Sequence, residues 1–542
     1  MSRNGLSNWS LPIGLSAAGV IKTAVGYGGF SGRDAPPMFG DFEAQRHWME
    51  ITLHRPMKEW YTYAPDWWLL DYPPLTAYAS WLCGKIGSAL NPVNFALDTS
   101  YGLSPPDLIT FMRFSVLSFE ACIWWSAVMA WMLLQGKKEG RSWRSQMTGI
   151  MTILLQPSLT LIDNGHFQYN SVLLGFSLWT LVFLTHDQDL LACVAFSCAL
   201  CFKQMGLYYA PAIGCYLIGK CIWLGGSAGL LLLVKLGIVT VATFGLLFAP
   251  WLRPFPEAIL QVLHRMFPFA RGIFEDKVAN FWCASNVVIK WRRWFGINGM
   301  AKLATVATLA SLIPLVLILL YTSFNTEPES RSSSVASRTV PVLETPRQSG
   351  PPPSIRLLPM ALFSGSLAFF LFSFQVHEKS ILLPLMPLTV LMAFRGGKEA
   401  SASEDETWEV GVLLNNVAVF SMWPLLKRDG QALQYVFVTL LWNYVIGYSP
   451  TGTQPTFLRL STYLIYLCIA VLHLPDLFPT AVLAPGRFPD LFIVLNVLLS
   501  FGVFGLAWLW SLKRMFEIAW AIAGSSIDPR DHHRSTRRAK VD

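Results

Sequence analysis

Charge is what this sequence has least of. Only 14% of its 542 residues are Asp, Glu, Lys or Arg, while 53% are hydrophobic. A water-exposed surface draws on about 25% charged residues, so a soluble fold is excluded. The nine cysteines are scattered, with Cys122, Cys193, Cys198, Cys201, Cys215 and Cys468 in or beside apolar runs and no cluster of Cys with His. That leaves no basis for a zinc site or a disulfide framework. A charge-dense domain is missing too: the net charge of +8 falls in short loops and the tail, not on the basic face that nucleic-acid binding needs. The first residues, MSRNGLSNWS, lack the apolar core and cleavage site of a signal peptide, and the first apolar segment is expected to serve as an uncleaved anchor.

What is present is a series of apolar runs, with 22 Trp and 36 Phe among them. Runs of about 20 residues suit bilayer-spanning helices. They fall near 9–28, 108–134, 146–162, 170–185, 188–202, 206–223, 228–250, 300–322, 356–375, 380–395, 408–425, 431–448, 458–474 and 488–511. The fold class expected is an all-α polytopic membrane protein of about 14 transmembrane helices. The first span is Gly-rich and carries Lys22. Residues 29–106 hold Asp41, Glu43, Arg46, Glu50, Lys58, Glu59, Asp66 and Asp71. Each charge at mid-bilayer costs about 3 kcal/mol, so this stretch is a large extramembrane loop. The expected organisation is a membrane module over 1–323 with extramembrane loops at 29–106 and 252–298, then a Ser/Pro/Arg-rich linker over 324–354. A second membrane module follows over 355–511, and a basic tail over 512–542. The linker composition cannot bury a core and reads as disordered.

Lys and Arg mark the cytoplasmic loops. Lys137, Lys138, Arg141 and Arg144 follow the second span, Arg395 and Lys398 the tenth, and Lys513, Arg514, Arg534, Arg537, Arg538 and Lys540 the last. With both termini cytoplasmic these loops share one side; Lys427 and Arg428 fall on the other, against the rule. The polar segments 35–80, 163–170, 203–209, 252–298 and 376–380 then gather on the opposite, luminal side. A transporter more often places its ionisable residues mid-span. Residues at span ends point instead to an enzyme working at the membrane surface.

Five segments carry candidate chemistry. In Gly40-Asp41-Phe42-Glu43-Ala44-Gln45-Arg46-His47-Trp48-Met49-Glu50 a helix is expected to begin at Asp41, with Glu43, Arg46, His47 and Glu50 on one face. Phe42, Met49 and Trp60 would rest on lipid, so that the helix lies on the luminal leaflet. Asp41 reads equally as a helix cap, and Glu43–Arg46 and Glu43–His47 as surface pairs. In Leu70-Asp71-Tyr72-Pro73-Pro74-Leu75 the prolines impose extended backbone before a helix. The preceding Trp60, Tyr61, Tyr63, Trp67 and Trp68 fit an interfacial aromatic belt or stacking on sugar rings. Asp163-Asn164-Gly165-His166-Phe167-Gln168-Tyr169-Asn170 is a dense polar turn between apolar runs. Lys203, nearby, is a snorkelling anchor or a ligand. The fourth segment runs from His264 to Trp282 and contains Arg271, Glu275 and Asp276. The fifth is Val376-His377-Glu378-Lys379, where His beside Lys suits a lipid phosphate.

In their order, GDFEAQRHWMEIT, LDYPPLTA, GHFQYNSV, CFKQM, FPFARGIFEDKVANFW and FSFQVHEK resemble the endoplasmic-reticulum dolichyl-phosphate-glucose-dependent alpha-1,3-glucosyltransferases of N-glycan assembly. A more diffuse likeness continues through NNVAVFSMWPLLKRDG near 415–430. FARGIFEDKVANFW is similar to the branch that adds the first glucose, rather than the branch that adds the second. The turn departs from the family pattern, reading DNGHFQYN where DHGHFQYN is expected, and the 324–354 linker is longer than usual.

The resemblance implies a GT-C membrane fold in the endoplasmic-reticulum membrane with a luminal active site. It implies dolichyl-phosphate-glucose as donor and a dolichyl-diphosphate oligosaccharide, Man(9)GlcNAc(2), as acceptor. The protein is expected to work as a monomer, with no metal and no cofactor. A beta-linked donor and an alpha product imply inversion, with Asp41 as the base that removes the proton from the attacking mannose O3. His377, Lys379, Lys203 and Arg271 are the candidates to stabilise the departing phosphate. Asp71, Glu275 and Asp276 are candidates to orient acceptor hydroxyls, and Glu43, Arg46, His166 and Gln168 complete the expected substrate-binding set. The alternatives are the second-glucose enzyme, a mannosyltransferase of the same fold, and a lipid or sugar transporter.

Overall fold

Apolar stretches without charges leave the backbone no hydrogen-bond partner but itself, and the chain accordingly folds as helices throughout. The structure is a computed structural model that describes residues 3–267, 277–326, 350–394, 402–450, 457–478 and 490–525. Among these residues there is no β-strand. The first half contains α1 (Arg3–Gly26), α2 (Gly40–His54), α3 (Pro74–Leu90), α4 (Pro106–Lys138), α5 (Trp143–Leu154), α6 (Asn170–Thr185), α7 (Asp189–Phe202), α8 (Gln204–Leu224) and α9 (Gly226–Leu247). It is followed by α10 (Glu257–Met266), α11 (Phe281–Ile289), α12 (Ile297–Asn325), α13 (Pro353–Phe372), α14 (Leu382–Met392), α15 (Ala402–Ser421), α16 (Trp423–Arg428), α17 (Ala432–Val445), α18 (Phe457–Leu477) and α19 (Leu491–Ser525).

Seven of the described helices, α4, α8, α9, α12, α13, α18 and α19, are long and apolar enough to cross a membrane by length and composition. A helix stands at each of the other expected spans, but these are shorter or more polar, so the count of fourteen is not confirmed among the described residues. α9 and α18 bury almost none of their surface against protein, whereas α13 is largely enclosed. The core runs through α4, α6, α13, α14 and α15, with Trp124, Met132, Leu173, Leu178, Phe363, Leu367, Leu385 and Val417 buried together. The linker's residues 327–349, Arg395, Lys398 and the tail from 526 lie outside the described residues.

Three features of the fold position the site. The first is the anchoring of α1. Lys22 is fully buried and pairs with the equally buried Glu120 of α4 at 2.8 Å. Thr160 Oγ1 accepts a second bond from Lys22, at 3.2 Å, while Asn164 Nδ2 and Trp125 Nε1 donate to Glu120 at 3.1 and 3.2 Å. The lysine that weakens the first span is thus neutralised inside the bundle, as an intramembrane charge must be.

The second is the packing of α2, which departs from the expected leaflet-lying helix. Phe42, Met49 and Trp60 are buried in protein, with the Phe42 ring 4.4 Å from Phe30 and 5.0 Å from Phe167. The Glu43/Arg46/His47/Glu50 face is buried as well. Arg46 Nε donates to Glu43 Oε2 at 2.8 Å, and Arg46 Nη2 lies 2.9 Å from Glu50 Oε2. Arg46 Nη1 reaches Ser100 Oγ at 2.5 Å and the Asn94 carbonyl at 3.2 Å. These are therefore not surface pairs; the guanidinium ties the 91–101 loop across the helix. α3 begins at Pro74 after an extended Pro73, as the two prolines require.

The third is the turn after α5. Thr160–Phe167 winds as a π-helix, and Phe167 adopts φ 86°, a left-handed conformation that costs a non-glycine residue about 1–3 kcal/mol. The Phe167 ring, packed on Phe42 and on Tyr169 at 5.7 Å, holds it there. This wide turn aims His166 and Gln168 at the start of α2.

Candidate active site

A helix shows one row of side chains at spacings of three and four. On α2 the row Asp41, Ala44, Gln45 and Trp48 lines a cavity of about 330 Å³, shared with Trp68, Asp71, Tyr72, Gln168, Asn170, Lys203, His377 and Lys379. Its size falls in the range of about 300–1,000 Å³ common to small-molecule sites. The helix begins at Gly40, and Ser31 Oγ accepts the Asp41 backbone N–H at 3.0 Å. The helix start is therefore capped by Ser31, and the Asp41 carboxylate is turned to other work.

Three donors converge on Asp41 Oδ2: His166 Nε2 at 2.9 Å, Gln168 Nε2 at 2.7 Å, and the ammonium of Lys379. Burial disfavours the charged carboxylate, but the Lys379 charge and the His166 and Lys379 hydrogen bonds outweigh it. The Asp41 pKa is held well below its ordinary value of 3.8. Its place in the first turn of α2 adds the favourable end of the helix dipole. Asp41 is an ionised acceptor at neutral pH.

Lys203 is buried, not snorkelling. Its Nζ donates to Gln168 Oε1 at 3.1 Å and Asn170 Oδ1 at 2.7 Å, and lies 5.0 Å from the centre of the Tyr72 ring. Burial, then repulsion from Lys379, pushes its pKa down to about 8 against the pull of Asp163, Asp41 and Asp71. Asn170 is itself held by Asp163, whose Oδ1 accepts Asn170 Nδ2 at 2.8 Å and whose Oδ2 accepts the Ser171 N–H at 2.6 Å. The polar turn and the Lys203 break between α7 and α8 thus form one connected wall.

The structure brings together Asp41, Asp71, His166, Gln168, Lys203, His377 and Lys379 of the expected set. His166 stands behind the wall, buried, and acts through Asp41. Glu43 and Arg46 do not line the cavity; they are consumed in the buried network with Glu50, Asn94 and Ser100. Arg271, Glu275 and Asp276 lie outside the described residues. The five aromatics before Asp71 divide. Trp60 and Tyr61 pack around Trp251, at 6.0 and 5.1 Å between ring centres. Tyr63 OH bonds Asp98 at 2.7 Å, Trp67 stacks on Tyr101 at 6.1 Å, and only Trp68 reaches the cavity. Gln45, Trp48 and Asn170 were not anticipated, and neither was Asp429, whose carboxylate bonds His166 Nδ1. Helical spacing from Asp41 would have found Gln45 and Trp48. Asp429-Gly430 reads in sequence only as a turn.

Next to the polar cavity lies an apolar one of about 550 Å³, lined by residues including Leu200, Val241, Phe244, Phe248, Ile259 and Leu263. Gln204, Leu207, Met266 and Phe267 border both. No group of three or more His, Cys, Asp or Glu among the described residues is arranged to hold a metal ion. A carboxylate base, a cluster of cations and a lipid-sized groove together suit transfer from a phosphate-bearing lipid.

Residues 18–510 match the profile described as the ALG6, ALG8 glycosyltransferase family. The chain is 38% identical over 529 residues to the dolichyl pyrophosphate Man9GlcNAc2 alpha-1,3-glucosyltransferase of Saccharomyces cerevisiae, covering 92% of this chain and 90% of the yeast one. To the Gallus gallus protein of the same name it is 37% identical, covering 90% and 93%. To that of Pongo abelii it is 35% identical, covering 89% and 91%.

Proposed function

Since the chain belongs to the ALG6, ALG8 glycosyltransferase family, we propose that it transfers glucose from dolichyl-phosphate-glucose to the Man(9)GlcNAc(2) dolichyl-diphosphate oligosaccharide. The product is an alpha-1,3 linkage, made in the lumen of the endoplasmic reticulum. Asp41 is the base. Its three donors fall on Oδ2, leaving Oδ1 for the acceptor hydroxyl. As that hydroxyl attacks C1 of glucose, Asp41 takes its proton and the C1–O bond to phosphate breaks. Dolichyl phosphate leaves with the bonding electrons, in a single displacement that inverts the configuration. The leaving group needs cations rather than a proton, and His377, Lys379 and Lys203 at the cavity wall supply them.

Lys379 has a second use. It also neutralises Asp41. A donor phosphate competes for the same ammonium and draws it off, and the carboxylate, still desolvated, becomes a stronger base. Donor binding thus prepares the base for the acceptor. The lipid tail occupies the apolar groove beside Gln204 and Met266. Asp71 and Trp68 contact sugar, and Glu43 and Arg46 act only through the frame of α2. In this reading the protein acts as a monomer, and the chemistry described requires no metal.

What carries this reading is the placement of an ionised Asp41 among the lysines of a cavity that adjoins a lipid-sized groove. The direct test is purified protein in detergent with dolichyl-phosphate-glucose and either the unglucosylated or the monoglucosylated acceptor, with a chelator present. Transfer to the unglucosylated acceptor alone is expected. Transfer only to the monoglucosylated acceptor would assign the second-glucose step, and loss of transfer in chelator would contradict the metal-free mechanism.

A further inference from the structure

Asp429 stands 388 positions after Asp41 in the chain, yet one imidazole joins them. His166 Nε2 meets Asp41 Oδ2 at 2.9 Å, and His166 Nδ1 meets Asp429 Oδ2. His166 and Asp429 are both buried. The turn that carries Asp429, between α16 and α17, is pressed against the loop before α2. At Gly29 a side chain would run into the Asp429 carbonyl, and Gln431 Nε2 donates to the Gly29 carbonyl. Arg113 of α4 closes the arrangement, donating to the Asn164 carbonyl at 2.6 Å and to the Gly29 carbonyl at 3.4 Å. The parts of the chain that meet here have no sequence proximity, and the meeting point is a carboxylate–imidazole–carboxylate row ending at the base.

We infer that Asp429 is a positioning residue for the transfer reaction: it fixes the His166 ring and keeps a proton on each ring nitrogen, so that Asp41 faces a cation. Two hydrogen bonds join three groups, and Asp41 serves as a base only while it carries no proton. In the inferred arrangement both ring nitrogens donate, Nε2 to Asp41 and Nδ1 to Asp429, while Lys379 Nζ, 3.2 Å from Nε2, shares Asp41 Oδ2. The second carboxylate favours this state in a buried setting, where a lone charge is costly. The groups around the row are Asp41 and Lys379 at Nε2, and Asp429 at Nδ1. Arg428 lies 4.0 Å from Asp429 Oδ1, Arg113 is near Asp429, and Lys203, Asp71 and Asp163 stand around the Asp41 side. When Lys379 turns to the donor phosphate, the ring remains as the counter-charge of Asp41. The Asp429–His166 pair thereby sets how far the basicity of Asp41 rises.

This inference rests on the transferase reading, and wild-type transfer tests that reading separately. The test of Asp429 is the pH dependence of kcat in Asp429→Asn and Asp429→Glu, with donor affinity and thermal stability measured alongside. Asn keeps an acceptor for Nδ1 but removes the charge. The expected result is a kcat about tenfold to a hundredfold lower. The acid limb should move up by about one pH unit, because loss of a nearby cation raises a carboxylate pKa by one unit or more. Donor affinity should be unchanged, and Glu should restore the wild-type limb. An acid limb that stays where the wild type has it would overturn the inference, whatever happens to stability. Should Asp429→Asn fail to fold, Gly29→Ala displaces the same turn and is read in the same way, with an unmoved limb again counting against it.

Discussion

At the scale of the residue, the decisive fact is that Asp41 has company. Burial alone would protonate it; Lys379 and His166 reverse the sign and hold its pKa well below 3.8. A carboxylate with a depressed pKa stays ionised as pH falls, until the pH reaches that low value. The parameter kcat/KM for donor reports the enzyme before donor binds, so it should stay level from neutral pH down to about pH 5. In kcat the donor has taken Lys379 and burial again dominates, so the acid limb should lie at higher pH than in kcat/KM. At the alkaline end Lys203, pushed down to about 8, loses its proton and its hold on the phosphate, so kcat/KM should fall as pH rises through about 8. Initial rates across pH 5–9 with donor varied check both limbs. Identical acid limbs in the two parameters would refute the exchange of Lys379 between Asp41 and phosphate.

At the scale of the element, α1 is anchored by the internal Lys22–Glu120 ion pair. Removing one member of a buried pair strands the other and costs about 3–5 kcal/mol, whereas replacing both by apolar groups is often neutral. Lys22→Met should therefore lower the thermal midpoint in detergent markedly, and Lys22→Met with Glu120→Leu should recover much of the loss. The sequence showed Lys22 only as a blemish in a weak span, because a buried partner 98 positions away leaves no local trace. α2 shows a similar boundary. Its helical rows were legible: Glu43, Arg46, His47 and Glu50 do share a face. Which row meets the cavity was not, because that depends on the 91–101 loop docking through Arg46. The charged row is structural, and the row with one charge, Asp41, is the one that faces the cavity. Asn164, the departure from the family pattern, is absorbed by Glu120 and Arg113 and leaves His166 and Gln168 in place.

At the scale of the whole molecule, residues of the polar segments 35–80, 163–170, 203–209 and 376–380 line one cavity. Arg113, two turns into α4, stands at the site and Lys138 ends the helix; some 25 residues at 1.5 Å each place the positive loop about 35–40 Å from the site. Lys427 and Arg428 adjoin Asp429 and so stand at the site's end. Under the proposed luminal topology they break the charge rule, and the Lys427 charge is met by Asp476 at 2.5 Å. An Asn-x-Thr acceptor introduced in the exposed stretch 56–59 should be glycosylated in cells, and one near Gly140 should not; the reverse pattern would invert the proposed topology. Helical class and the motif residues could be read from composition and order. Asp429 could not, because nothing near it in sequence says that its turn reaches across the fold.

The central claim is that Asp41 is the base and not merely part of the polar wall. Its sharpest measurement is the single-turnover rate of glucose transfer by Asp41→Asn, with donor binding measured on the same protein. The substitution keeps the size of the side chain and removes its basicity. Transfer should fall by at least about a hundredfold while donor affinity is retained. A variant that binds donor and transfers glucose at a rate near wild type would contradict the account.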